Sequence, residues 1–326
     1  MRQQSDVDQH QHFISGKHFK ILIATILLSI LGYFLFTLWA GWENVVGAIR
    51  QVGLKGICIA LGLSLVNYGF RFLRWQYFLG VLGHRIAWRP SLRIYMAGFA
   101  LTTTPGKAGE ALRSVFLKDY GIPFRKSFGA FFSERISDLL SVSILAATGL
   151  WIYPDARPVL FLVVAVITFI FFAIQKDSWL QWLERIARKL LTEKRAHIVE
   201  FIFESIIFFR SCFTAKAILT GLCFGVLAWT AEAAALCYVL HLLGYDIGII
   251  TAAFVYGFSL VIGGITLLPG GLGGAELTMM QLLILNGVSA AVAVATTLVI
   301  RLTSLWFSVV LGMIALPKKQ IFWEKR

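Results

Sequence analysis

Eight residues, Pro269-Gly-Gly-Leu-Gly-Gly-Ala-Glu276, stand inside a long apolar stretch and divide it. Five of the eight are glycine or proline, so no helix runs through them unbroken: glycine adds backbone freedom, and proline removes a donor and clashes with the preceding turn. A related run, Pro105-Gly-Lys-Ala-Gly-Glu110, occurs earlier in the chain. In both, an arginine follows the glutamate after 25 residues, Arg135 after Glu110 and Arg301 after Glu276. A break, a glutamate and an arginine at one repeated spacing mark an internal duplication. Paired, Gly/Pro-interrupted apolar segments in two halves of a membrane protein point to a transport site. The break residues are Pro105, Gly106 and Gly109 in the first copy and Pro269, Gly270, Gly271, Gly273 and Gly274 in the second.

The surrounding composition fits that reading. Of the 326 residues, 58% are hydrophobic and 14% charged, and mean hydropathy is +0.77. A soluble domain is nearer half apolar and a quarter charged. The net charge of +13 does not imply nucleic acid, because the basic residues lie between apolar spans and form no basic domain of their own. Cys58, Cys212, Cys223 and Cys237 have no metal-ligand spacing and read as small hydrophobes. His10, His12 and His18 read as part of a solvated tail, so no metal or other cofactor is expected.

In chain order, residues 1–17 form a polar tail without a signal-peptide pattern, expected to be disordered and cytoplasmic. One membrane domain then covers 18–316, and a basic tail covers 317–326. Within the domain the expected full spans are Ile21–Ala40, Gly56–Leu79, Ser127–Tyr153, Val159–Ile174, Ala217–Leu243 and Ala290–Leu316. The first broken-helix repeat lies around 92–153 and the second around 249–316, with a charged, interfacial amphipathic segment at 176–212 between them. Leu92–Thr104 is too short to cross about 30 Å of hydrocarbon before it meets Pro105. Short helix, break, short helix is the pattern of a re-entrant hairpin. The fold expected is therefore all-α: a polytopic membrane protein with about six full spans, two re-entrant helical hairpins and an inverted-topology repeat. The inversion comes from the charges. Of the 30 lysines and arginines, Arg50, Lys55 and Arg157 fall on one side, Lys107, Arg135 and Arg301 at membrane depth, and the rest on the other side. The rich side is cytoplasmic by the positive-inside rule, with both termini there and the plasma (inner) membrane as the location.

A charge at the bilayer centre costs at least about 2.5–3.5 kcal/mol. Arg135 and Arg301 would meet that cost by binding an anionic group, phosphate above all, whose oxygens match the planar guanidinium fork. Half-helices starting near Gly106 and Gly274 would add amide donors. Glu110 and Glu276 would pair with the arginines or carry protons. Lys107, Arg113, Asp138 and Arg74 complete the candidate substrate-binding set. The opposing reading makes both Glu–Arg pairs struts that lock the breaks to neighbouring spans. Glu232 is open between the two roles. Arg71 and Arg74, beside Trp75, are expected to snorkel to headgroups more than to line a path. Gly106-Lys107-Ala108 lacks the residues of a P-loop, and no nucleophile elbow, metal cluster or other catalytic signature is visible, so an enzyme is not expected.

The two break motifs, each with its glutamate and arginine, together with Arg74-Trp75, resemble the membrane region of lysylphosphatidylglycerol synthases over roughly residues 20–316. That region also occurs alone, in flippase-like proteins. The resemblance implies that Pro105, Glu110, Arg135, Pro269, Glu276 and Arg301 belong to a lipid-moving region. In the synthases a separate soluble domain makes the lipid; the sequence ends shortly after its last span, so lysine transfer is not expected to carry over. The leading expectation is a flippase or transporter for an anionic, phosphate-containing lipid headgroup. Its partners would be membrane phospholipid or a polyprenyl-phosphate-linked lipid, and anionic headgroups at the cytoplasmic face. A homo-oligomer is compatible with the chain. The alternatives are a secondary transporter of a small anionic solute and an accessory subunit of a membrane lipid-modifying enzyme.

Overall fold

Between Trp42 and Val81 the sequence offers no proline, and one helix of 40 residues forms. It bends where Gly53 takes φ 61°, a left-handed conformation. The computed structural model describes residues 30–103, 112–176, 205–212, 214–266 and 268–316, and short runs at 27, 178–180, 182, 185–186 and 203. Expectations for Pro105, Gly106, Lys107, Gly109 and Glu110, for both tails and for most of the 176–212 segment lie outside the described residues.

The described elements are helical throughout. They are α1 (Ile30–Ala40), α2 (Trp42–Val81), α3 (Trp88–Ala97), α4 (Leu112–Lys118), α5 (Phe124–Ala147), α6 (Arg157–Gln175), α7 (Ala215–Leu242), α8 (Gly248–Ile265), α9 (Gly274–Leu285), α10 (Ala290–Arg301) and α11 (Phe307–Ala315). A 3₁₀ turn, Gly98–Leu101, extends α3, and a π-helical turn, Leu302–Trp306, joins α10 to α11.

Among the described residues four helical segments are long and apolar enough to cross a membrane: α2, α7, α8 and the continuous run Ala290–Ala315. Two differences from the expected layout have physical causes. The helix α8, read as one limb of a hairpin, is a largely apolar run of 18 residues, about 27 Å of rise, which is the length of a span. The helix α5 is 24 residues long but carries Arg125, Lys126, Glu134, Arg135 and Asp138, so its hydropathy falls below that of a simple span.

Packing divides the molecule into two apolar cores. The helix α7 lies along α2, α8 packs against α5 and α9, and α10 packs against α2. The first core takes Val45–Ala60 of α2, the second half of α5, and the inward faces of α6, α7, α8, α9 and α10. The second takes Tyr68–Leu79 of α2 with α3, α4, Ile122, Cys212 and the partly buried Phe307 and Leu311. The junction between them is polar. On α2 it is crossed by Ser64, Asn67, Arg71 and Arg74, at alternating spacings of four and three that put them on one face of the helix.

Arg71 and Arg74 thus contradict the expectation of snorkelling. Both are buried and turned inward, because Asp138 on α5 supplies a carboxylate at their depth. Gly225 on α7 makes room: a Cβ there would lie 2.9 Å from Arg74 Nη1.

Candidate functional site

At the junction of the two cores lies a cavity of about 280 Å³, walled by α2, α5, α7, α8, the second break and the π turn. Its charged lining among the described residues is Arg71, Arg135, Arg301, Asp138 and Glu232. The break forms the wall nearest Arg301.

The break is held open by backbone geometry. Gly270 and Gly271 have φ of 64° and 69°, values that cost a side-chain-bearing residue about 1–2 kcal/mol. A Cβ on Gly271 would sit 3.3 Å from the backbone of Gly263 on α8, so the chain also passes too close for a methyl group. Gly271→Ala is therefore expected to lower the melting temperature, with membrane insertion unchanged. Melting at the wild-type value would show that the close approach is not needed.

After the break, α9 begins with Glu276 at its third helical position. Its Oε2 accepts from the Gly273 N–H at 2.7 Å, closing the helix end. Its Oε1 accepts from Arg301 Nε at 2.6 Å and from the Tyr33 hydroxyl of α1 at 3.3 Å. Arg301 Nη2 donates to the Gly270 carbonyl at 2.9 Å. One glutamate and one arginine thus tie the two sides of the break to α10, and the pair is buried. Arg301 is also part of the cavity wall, so strut and site coincide in one side chain. The turn that follows it is π-helical. The Phe307 N–H reaches back to the Leu302 carbonyl, and the Tyr68 hydroxyl donates to the Ser304 carbonyl. Such turns recur at functional sites.

Across the cavity, Asp138 is a hub. Arg74 Nη2 donates to its Oδ1 at 2.5 Å, Arg71 Nη2 to its Oδ2 at 3.4 Å, and Trp229 Nε1 to Oδ1 at 3.1 Å. Arg135 Nη2 lies 3.1 Å from Oδ2. Arg71 additionally lies over the rings of Trp229 and Phe99. Four groups from α2, α5 and α7 therefore converge on one carboxylate.

The structure brings Arg135, Arg301, Asp138, Gly270 and Gly271 to the cavity wall, with Glu276 and Arg74 directly behind it. Gly273 and Gly274 shape the start of α9. Among the described residues Arg135 pairs with Asp138, one helical turn away; Glu110, the glutamate expected opposite it, lies outside the described residues. Arg113 does not reach the cavity. It pairs with Glu134 at 2.7 Å, fully buried in the second core with its guanidinium over Trp75 and Tyr95.

Residues 21–312 match the family described as the lysylphosphatidylglycerol synthase TM region. The chain belongs to that family. A UPF0104 membrane protein of Pyrococcus horikoshii is 23% identical over 93% of this chain and 97% of its own length. Another, from Methanothermobacter thermautotrophicus, is 23% identical over 90% and 94%. A shorter similarity, 27% over 131 residues, covers 40% of this chain and 21% of the glycosyltransferase AglD of Haloferax volcanii. The chain is thus a membrane protein that shares nearly its whole length with other members of the family.

Sequence reasoning omitted Arg71, Ser64 and Asn67 from the site of this family member. The signal was present as the four-three spacing of Ser64, Asn67, Arg71 and Arg74 along an otherwise apolar helix. Asn67 Nδ2 donates to the Ala228 carbonyl at 2.8 Å, fastening that stripe to α7.

Proposed function

We propose that this protein moves an anionic, phosphate-containing lipid headgroup across the bilayer, with the headgroup passing through the charged cavity while its apolar chains stay in lipid. The observation that carries this reading is the placement of Arg301: buried, on the cavity wall, and beside the helix break at Gly270 and Gly271, which share that wall. Arginine at such a place suits phosphate oxygens in two-pronged contact. A charged layer between two apolar cores is also the place where the halves of an alternating-access transporter meet. The two broken segments, related as an inverted repeat, would rock about that layer. The family name supports a phospholipid, since it refers to a synthase of one, but synthase chemistry is not part of the proposal.

The test is mass spectrometry of lipid retained through gentle purification, alongside translocation of fluorescent lipids in vesicles. The expected result is retention and movement of phosphatidylglycerol in preference to zwitterionic phosphatidylethanolamine. Retention of zwitterionic lipid alone, or uptake of a soluble phosphate ester without lipid movement, would replace this reading with another.

A further inference from the structure

Four acidic side chains are buried among the described residues: Glu134, Asp138, Glu232 and Glu276. Three of them touch an arginine, through Arg113–Glu134 at 2.7 Å, Arg74–Asp138 at 2.5 Å and Arg301–Glu276 at 2.6 Å. Among the described residues Glu232 touches none. It sits on α7, is 1% exposed, and forms part of the cavity wall. Its Oε2 accepts from the Ser64 hydroxyl at 3.2 Å. Its Oε1 is buried and has no hydrogen-bond partner among the described residues.

A carboxylate in that setting has one hydroxyl donor to hold a full charge, which is a costly arrangement. Charged and titratable groups face it from the elements packed around it: Tyr68 and Arg71 from α2, Tyr256 from α8 and Arg301 from α10. Neither cation makes an ion pair with it. Arg301 is bonded to Glu276, and Arg71 to Asp138. The Tyr68 hydroxyl is directed to the Ser304 carbonyl. What suits the bare Oε1 is a proton, which removes the charge and supplies a donor of its own.

We infer that Glu232 is a proton-binding site coupled to the headgroup. This rests on the transport reading above. An anion entering a cavity of about 280 Å³ comes close to whatever charge Glu232 carries. An ionised Glu232 repels it, whereas a protonated Glu232 accepts it, so headgroup and proton load together and leave together. For a phosphodiester headgroup the pair is electrically neutral. Movement is then driven by a pH difference, toward the alkaline side, and is indifferent to membrane potential.

The experiment uses the purified full-length protein in vesicles of phosphatidylglycerol and phosphatidylethanolamine with trace fluorescent phosphatidylglycerol. At steady state, one proton per lipid sustains about a tenfold enrichment of the label in the alkaline-side leaflet for each unit of pH difference. A potassium-diffusion potential at equal pH gives no enrichment. In Glu232→Gln the enrichment ratio falls to one. A second readout needs no lipid. Infrared difference spectra between acidic and alkaline buffers show a protonated carboxyl C=O band in the wild type. That band is lost in Glu232→Gln and shifted in Ser64→Ala, which removes the hydroxyl donor. If the wild type moves the label without regard to pH, or a sodium gradient drives it, the coupling is wrong and the transport reading stands. An infrared band unaffected by both variants also overturns the proton site. If the wild type moves no phosphatidylglycerol at all, the transport reading falls and the coupling with it.

Discussion

Asp138→Asn is expected to cost about 3–5 kcal/mol of stability, the range seen when one partner of a buried ion pair is removed. The substitution keeps the shape of the side chain and removes its charge. Arg71, Arg74 and Arg135 then remain around a neutral amide, and one of the two oxygens that receive them becomes an NH₂ donor facing other donors. Trp229 Nε1 loses a charged acceptor at the same time. Arg74 is fully buried, so it cannot swing out to water as an exposed arginine would. The loss is read as a drop in melting temperature in detergent, against Asp119→Asn on the exposed turn after α4, where a change within about 0.5 kcal/mol is expected. Equal behaviour of the two variants would show that Asp138 is not the charge on which the polar layer depends.

Part of this arrangement is written locally in the sequence. The break at Pro269–Gly274 was legible because proline and left-handed glycine act on the backbone itself, and φ values of 64° at Gly270 and 69° at Gly271 show the conformation. The membership of Glu276 and Arg301 in one unit followed from the 25-residue spacing that they share with Glu110 and Arg135, and they do pair. Other parts depend on contacts between distant segments. Arg71 and Arg74 look from their neighbours Phe72 and Trp75 like an interfacial basic-aromatic cluster; both instead bond to Asp138, more than sixty residues away on another helix. Arg113 follows the first break closely in sequence, but the phase of α4 turns it away from the cavity and into the second core, between Trp75 and Tyr95. Glu232 gave no signal of its role, since a lone acid in an apolar helix reads alike whether or not an arginine stands opposite. Only the packing of α7 against α2 shows that its described neighbour is a serine hydroxyl.

The account turns on Arg301 being more than a strut, and a double-mutant cycle with Glu276 separates the two roles. The single changes Glu276→Gln and Arg301→Gln each strand one buried charge and are expected to cost about 3–5 kcal/mol. The double change leaves no charge behind and keeps amide hydrogen bonding available to the Gly270 carbonyl and the Gly273 N–H, both of which the native pair holds. Most of the lost stability is therefore expected to return. Arg301→Lys is expected to fail in lipid binding, because an ammonium does not reproduce the planar fork. The decisive measurement is melting temperature and retained anionic phospholipid, taken together on wild type, the two single variants and the double variant. The account predicts a double variant that melts near wild type yet retains little anionic phospholipid and does not move it. A double variant that regains both stability and phospholipid movement would contradict it, and would leave Glu276 and Arg301 as a strut.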